Sequence, residues 1–548
     1  MIKKRTFNRY SVIKLTFIFM ISINLLFTVN IKAVNNLPKK YDSRDYGYTS
    51  SVKDQGMIGA CWSFASNASL EAFLLKNNER EINLSENNMI NNHDFSLGAN
   101  GGGNISMATA YYTSWAGPVL EKDDPYPDRS IPKNIVSREV KDVVKHIQEV
   151  LFIPKRNDFL DNDGIKKAVM EYGSVTSIMH EDSKYYNSHT NSYYSNNSEY
   201  PNHQISIVGW DDTYPAENFN TQPEGDGAFI IKNSYGTSWG NNGFNYISYY
   251  DNVIGNENAV FIAEENNNYD NIYQYDPFGM TSRIGYGIET AWFANVFTAK
   301  GELGEKLKAI SFYTTKKNAS YEVYFSNTSK PVQYGDTNKK ISSGTIEMPG
   351  YHTIELGEEQ LLTPKEQFTI VVKTTIPGEE RPIPMETIIE GYTDKAKSNS
   401  GESYISYNGL EWEDLENTNP NSNVNLKAFT VDVDLFAITD IKKVNGWSQS
   451  GQLWRYYKEG IAQKELWIQD TLKQWYYVGT DGYMLTSSWV NDITNQWYYL
   501  DANGVMVSNQ WIESNGKWYY LNHNGDMAVN TVTVDGYRVG IDGAWEEN

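Results

Sequence analysis

The chain has 548 residues, and its 47 lysines and arginines stand against 68 aspartates and glutamates, a formal net charge of −21. That length exceeds what one hydrophobic core supports, so about two to four domains are expected. The charge argues against nucleic acid and anionic membrane surfaces as partners, because repulsion replaces the counterion release that drives such binding.

At the N-terminus Lys3, Lys4, Arg5, Arg9 and Lys14 precede the apolar run LTFIFMISINLLFTVNI, and Lys32-Ala33 follows it. Basic, apolar and small residues in that order make a secretory signal over residues 1–33. The run is also long enough to span a bilayer, which keeps a retained anchor open. Export makes the cysteine count informative. An exported chain with one cysteine forms no internal disulfide, and the unpaired thiol of Cys61 points to a reactive group.

Around that thiol the sequence reads DQGMIGACWSFASNASLEAFLL. Glycines before Cys61 predict a turn; after it Trp62, Ala65, Ala68, Ala72 and Leu75, with Phe64 and Leu74, predict a helix with a broad apolar face. A thiol in the first turn sits at the positive end of the helix dipole, which favours the thiolate. The competing reading of a lone cysteine is a small buried hydrophobe. Leu84-Ser85-Glu86 predicts a helix start, its serine accepting from an orphan N–H. Gly101-Gly102-Gly103-Asn104 then allows close backbone approach ahead of a helical segment from Ile105 to Trp115. A plain flexible turn is the alternative for those glycines.

Residues His180 to Tyr200, rich in Tyr, Asn and Ser, predict a surface loop. Its histidines, His180 and His189, lack metal-ligand spacing, and neither HExxH nor paired cysteines occur, so no metal site is expected. From Asn202 to Trp210 apolar residues alternate with small or polar ones, predicting a half-buried strand with His203 at its start. In AFIIKNSYGTSWGNNG, residues 228–243, an apolar strand delivers Asn233 to its end. Phe244 to Glu264 alternates as strands do, and EENNNYD reads as a linker. Short alternating runs such as ISFYTTKK, YEVYF and FTIVVKTT then predict a β-sandwich to about Asp434.

The last hundred residues repeat. WYY recurs at Trp475, Trp497 and Trp518, with a WRYY variant at Trp454; a second tryptophan row falls at Trp467, Trp489 and Trp511, and Gly-x-Met steps end at Met484, Met506 and Met527. Each unit predicts a hairpin that cannot bury its aromatic face alone, so neighbours stack into a solenoid.

These motifs also carry resemblances. Ile58-Gly59-Ala60-Cys61-Trp62 resembles the papain/cathepsin signature, with Ile58 where a second cysteine usually stands, and Gln55, Leu84-Ser85-Glu86, Asp123 to Pro127, Asn202-His203, Asn233-Ser234-Tyr235-Gly236 and Trp239-Gly240 resemble further blocks of that family. Tyr235 replaces a tryptophan that in the family shields the histidine–asparagine hydrogen bond. Residues 267–436 look like the lectin-like domain of bacterial surface enzymes, and residues 444–548 resemble choline-binding and related cell-wall-binding repeats of Gram-positive surface proteins.

The resemblance implies an α+β two-lobe catalytic domain over residues 34–266, an all-β lectin-like sandwich and a β-hairpin solenoid. It implies Cys61 as nucleophile, His203 as base, Asn233 orienting His203, and Gln55 with the Cys61 N–H binding the oxyanion. It also implies that Gly101, Gly102 and Gly103 line the cleft and pair with an extended peptide. Many relatives carry an inhibitory pro-segment ahead of this domain, and none is expected here. The expectation is a secreted, wall-associated endopeptidase without cofactor or metal, acting on protein or peptide substrates and tethered to wall polymer or choline by its tail. A peptidoglycan peptide amidase and a non-catalytic surface adhesin remain alternatives, and the oligomeric state stays open.

Overall fold

The computed structural model describes residues 37–127, 142–197, 200–301, 303–331, 340–433, 446–450, 453–458, 461–480, 482–492 and 495–546. The expected secretory signal lies outside them. Among the described residues no helix is long and apolar enough to cross a membrane.

Helix α1 (Cys61–Lys76) is the core element of the N-terminal unit. The sequence predicts one apolar face, but the helix is buried nearly all round, with Ser63, Ser66, Asn67, Ser69 and Glu71 enclosed beside Trp62, Phe64, Leu70 and Leu74. Polar groups in that setting need partners. Asn67 Nδ2 donates to Glu86 Oε1 at 3.1 Å and its Oδ1 accepts from the Tyr112 hydroxyl at 2.6 Å. Lys53 Nζ lies between Glu71 (2.9 Å) and Glu86 (2.7 Å), and Ser50 links Glu71 to Lys232. Burial still pushes Glu86 up to about 7, against the pull of Lys53, and lowers Lys232 to about 8 despite Glu71.

On one side of α1 lie α2 (Glu86–Asn91), capped by Ser85 Oγ accepting from Asn88 N–H at 2.9 Å, and α3 (Ile105–Thr113), capped by Asn104 Oδ1 accepting from Met107 N–H at 2.9 Å. Ile58, Trp62, Met89, Tyr111 and Tyr112 fill this lobe. On the other side are β1 (Lys40–Asp42), β2 (Lys145–Ile153), α4 (Asp163–Tyr172), β3 (Val175–Met179), β4 (Tyr186–Asn187), β5 (Ser192–Tyr193), β6 (His203–Asp211), β7 (Ala228–Lys232), β8 (Phe244–Ser248) and β9 (Asn258–Glu265). The pairing order is β2-β9-β3-β6-β7-β8-β5-β4, with β1 against β6.

Two expectations change here. β6 is buried along its whole length rather than on one face: Gln204 Nε2 donates to Ser66 Oγ of α1 at 3.3 Å, while Ile205, Ile207 and Trp210 enter the strand core. The segment expected as a surface loop holds β4 and β5, and β5 joins β8 in parallel.

No free linker follows β9. Asp270 N–H donates to Thr430 O at 2.9 Å, and the chain continues into the same sheet at Asn271–Tyr273. Strands Glu305–Thr314, Gly350–Leu362 and Leu426–Asp432 extend this sheet, which meets β2 through Gly350↔Leu151, Tyr351↔Val150 and His352↔Glu149. A Cβ on Gly350, at φ +155°, would lie 2.0 Å from Val150 O, so the junction requires glycine. The facing sheet contains Thr290–Thr298, Ala319–Ser326 and Gln367–Thr375, and Phe293, Leu307, Ile310, Val323 and Ile370 fill the sandwich between them.

The tail forms successive hairpins, including Leu466–Gln469 with Trp475–Val478, Ser488–Asn491 with Trp497–Leu500, and Gln510–Ser514 with Lys517–Leu521. Backbone bonds set the pitch: Met484, Met506 and Met527 N–H donate to the carbonyls of Trp454, Trp475 and Trp497 at 2.8, 2.7 and 2.7 Å. Trp467 and Trp489 meet Tyr498 and Tyr519 of the following units edge-on.

Candidate active site

Cys61 opens α1 under conditions that favour an anion. The N-cap is Ala60, whose side chain cannot accept a hydrogen bond, and the first turn contains no acid. The positive end of the helix is therefore not neutralised by its own sequence.

His203, at the head of β6, and Asn233, just past β7, come from adjacent strands. His203 Nε2 lies 2.8 Å from Asn233 Oδ1. That oxygen also accepts the Ser234 N–H at 2.7 Å, so Nε2 is the donor of the pair. The remaining ring nitrogen, Nδ1, is then left to interact with Cys61, the group with which His203 shares its opposite pKa displacement.

Burial of Cys61 acts to raise its thiol pKa. The hydrogen bond and charge of His203, with the N–H groups of Gln204 and Trp62, outweigh burial and hold the thiol below its ordinary value. Burial of His203 acts to lower its pKa, and the bond to Cys61 with its charge, the Glu181 carboxylate and Asn233 together raise it instead. Opposite displacements on two hydrogen-bonded groups favour a thiolate–imidazolium pair.

The Tyr235 ring stacks on the imidazole, with centroids 5.0 Å apart and planes 21° from parallel. Its hydroxyl donates to Glu181 Oε2 at 2.5 Å, and that oxygen lies 3.9 Å from His203 Nε2. Sequence reading missed Glu181 because it falls in the polar stretch after β3; the register Met179↔His203 brings it to the site.

Gln55 is held on two sides. Its N–H donates to Ser234 O at 2.8 Å, and its Oε1 accepts from Ser234 Oγ at 2.6 Å. The amide nitrogen is therefore turned the other way, donating one hydrogen to Ile58 O at 2.9 Å. Ser234, which the sequence offered only as part of a block and without a role of its own, is thus a second residue of the site.

Gly101, Gly102 and Gly103 run beside the turn that precedes Cys61. Gly59 N–H donates to Asn100 Oδ1 at 2.7 Å. Gly103 lies flat on the Trp62 indole, where an added Cβ would come within 2.4 Å of the ring. Ile58 is buried in the helical core. His180 Nδ1 lies 2.9 Å from Tyr200 O. Among the described residues no group of three or more His, Cys, Asp or Glu side chains could hold a metal ion.

Three kinds of family model match the chain: "Papain family cysteine protease" at residues 37–264, "Lectin like domain" at 272–430, and "Choline-binding repeat" at 468–511 and again at 505–545. A viral cathepsin of Epiphyas postvittana nucleopolyhedrovirus is 32% identical over 235 residues, 42% of this chain and 65% of that protein. Cathepsin K of Mus musculus is 29% identical over 215 residues, 38% of this chain and 59% of that protein. The chain thus spans less than two thirds of the length of either relative. Among solved structures, the clostridial cysteine protease Cwp84 after propeptide cleavage matches with a TM-score of 0.64 and 31% identity, over 72% of this chain and 99% of that one. A structure of the cysteine protease and lectin-like domains of Cwp84, described as a surface layer associated protein of Clostridium difficile, matches with a TM-score of 0.62 and 30% identity, over 73% and 90%.

Proposed function

The chain belongs to the papain family of cysteine proteases, and from that premise we propose that it is a secreted, wall-associated cysteine endopeptidase that cleaves proteins through an acyl-enzyme on Cys61. One observation carries the reading: a buried imidazole, fixed at 2.8 Å by Asn233, holds down the pKa of a thiol that stands at an uncapped helix N-terminus.

In this mechanism the Cys61 thiolate attacks the scissile carbonyl carbon, and the carbonyl oxygen becomes an oxyanion. The Cys61 N–H, in a helical turn that offers it no internal acceptor, and the second Gln55 amide hydrogen donate to it. Losing one such donor costs about 10²–10³ in turnover. The His203 imidazolium, oriented by Asn233, protonates the departing amine as the C–N bond breaks. Neutral His203 then takes a proton from water, the hydroxide attacks the thioester, and the acid product leaves with the thiolate restored. Of the glycines expected to line the cleft, Gly102 has open space where a side chain would stand, while Gly101 N–H is bonded to Gly98 O and Gly103 packs on Trp62; in this reading the strip Gly101–Gly103 pairs with an extended substrate.

We assign residues 34–266 to catalysis, 267–436 to the lectin-like unit and 444–548 to wall binding. Supporting the last, Trp511, Trp518, Tyr537 and Trp545 surround an open concavity of about 410 Å³ with Asp535 at its edge. Asp535 Oδ2 accepts from Trp511 Nε1 at 2.8 Å. Ring faces and a carboxylate suit a quaternary ammonium such as choline.

The test is to incubate the protein with a denatured protein and, separately, with purified wall. Cleavage of the protein, lost in Cys61→Ala, supports the endopeptidase. Cleavage of wall peptides alone would make the site an amidase, and failure of an epoxide that traps reactive thiols to label Cys61 would make the unit a non-catalytic scaffold.

A further inference from the structure

The catalytic and lectin-like units meet in ways that fix one against the other beside the glycine strip. Phe152 N–H donates to Pro349 O at 2.9 Å next to the three-residue pairing of β2 with Gly350–His352. Ser96 N–H donates to Tyr392 O at 2.8 Å, and the Tyr392 hydroxyl bonds Asn104 Nδ2 at 3.0 Å. Asn104 is the cap of α3 and directly follows Gly103, so the second unit braces the wall of the cleft itself.

Between the two units opens a cavity of about 610 Å³, within the usual range for a ligand pocket. Ile105 and Asn258 line it from the catalytic unit; Met280, Arg283, Lys316 and Lys317 line it from the second. Both near walls run on from the proposed chemistry. Ile105 is two residues beyond Gly103. Asn258 Oδ1 accepts from Ser177 Oγ at 2.8 Å, and Ser177 is two residues from Met179, the register partner of His203. Two residues of chain span at most roughly 7 Å, so Ile105 places one wall of the cavity close to the end of the glycine strip along which a peptide would lie.

Charge distinguishes this place from the rest of the molecule. In a chain of net charge −21, three cations line the cavity and Glu257 is its one carboxylate. Arg283 pairs with Glu379 at 2.5 Å, and Lys316 lies 3.9 Å from the same carboxylate. Lys317 is exposed, with no acid within ion-pair distance among the described residues. Glu379 engages Arg283 and Lys316, and the charge of Lys317 reaches Asp161 only at longer range, so Lys317 is the least neutralised of the three and the one that an acidic side chain would meet first.

We propose that the lectin-like unit forms the far wall of the substrate cleft, and that Lys316 and Lys317, with Arg283 behind them, select proteins carrying an acidic residue within a few positions of the scissile bond. The proposal rests on the endopeptidase reading and adds its substrate class.

The test uses the full chain and peptides that carry Glu or Gln in turn at each position on both sides of one cleaved bond. At one position Glu is expected to exceed Gln in kcat/KM by roughly 3- to 30-fold, the range of one or two exposed ion pairs, and the ratio should shrink as salt is raised. In K316E/K317E that ratio should fall to one or invert; K317Q, a milder change, should lower it partway. Epoxide labelling of Cys61 reports in each variant whether the site is intact. A ratio of one at every position, or a ratio untouched by charge reversal in a normally labelled variant, overturns the proposal while leaving the endopeptidase standing. Absence of any peptide cleavage by an intact chain overturns both.

Discussion

Replacing Glu181 by Gln removes one charge from the site and keeps its shape. The Gln oxygen can still accept from the Tyr235 hydroxyl, now 2.5 Å from Glu181 Oε2, so the stacked ring need not move. What changes is the anion 3.9 Å from His203 Nε2. At that separation Coulomb's law gives about 1 kcal/mol in water and about 4 kcal/mol at an effective dielectric of 20. The Glu181 side chain is 25% exposed and the His203 side chain 5%. Solvent at Glu181 therefore favours the lower figure. Because the carboxylate helps to raise the His203 pKa, its loss destabilises the imidazolium. At 1.36 kcal/mol per pH unit the alkaline limb of kcat/KM should fall by about 0.5–1 pH unit. The pair would then be fully formed over a narrower window, with activity lost sooner as pH rises through the lowered His203 value. The assay is kcat/KM against pH with an uncharged peptide, alongside the pH dependence of Cys61 alkylation. Tyr235→Phe, which keeps the ring and loses the hydroxyl, serves as a partner variant. An alkaline limb that stays in place in Glu181→Gln would refute an electrostatic role for this carboxylate.

Three other outcomes are expected. Lys53→Met leaves Glu71 and Glu86 buried without their shared cation, and should cost about 3–5 kcal/mol in denaturant unfolding at neutral pH; a loss under 1 kcal/mol would mean that the cluster is not held by its charges. Gly103→Ala drives a methyl into the Trp62 indole, at about 1–3 kcal/mol if the ring yields, and should lower kcat/KM by displacing the strip beside Cys61; wild-type kinetics would separate the strip from substrate binding. Deleting residues 444–548 should release the protein from walls and from immobilised choline while sparing cleavage of a soluble protein, and undiminished wall retention would move the tethering role to the sandwich.

Local chemistry was readable where a few adjacent residues carry it. Gly59-Ala60-Cys61-Trp62 marks a helix start, and the run before Asn233 marks a strand end, because both depend on short-range geometry. The burial of β6 was misjudged for a physical reason: alternation reports which side chains share a face, and cannot say that α1 covers the polar face as well. Glu181 was invisible for a related reason. Nothing in its own neighbourhood announces a role, and only strand register brings it to His203. The exchange of tryptophan for tyrosine at position 235 was legible as a loss of shielding. In the fold it also brings a hydroxyl, which ties the ring to a carboxylate beside the imidazole.

The same long-range pairing decides how the second unit relates to the first. A composition shift after Glu264 reads as a domain boundary, and a boundary suggests independent bodies joined by a linker. Yet β2 would be an edge at Glu149–Leu151 without Gly350–His352 against it, and an open edge is a liability that proteins cover. The packing points the same way: Phe278 and Tyr351 of the second unit lie in one buried cluster with Phe95, Tyr111 and Trp62 of the first. Trp62 directly follows Cys61, so the apolar support of the nucleophile helix is continuous with side chains more than two hundred residues later in the chain. The hairpins of the tail differ, since each described sheet there is closed within one or two hairpins and, among the described residues, its backbone bonds run onward to the neighbouring unit. Removing the tail therefore asks nothing of the cleft, whereas altering the sandwich alters a wall of it.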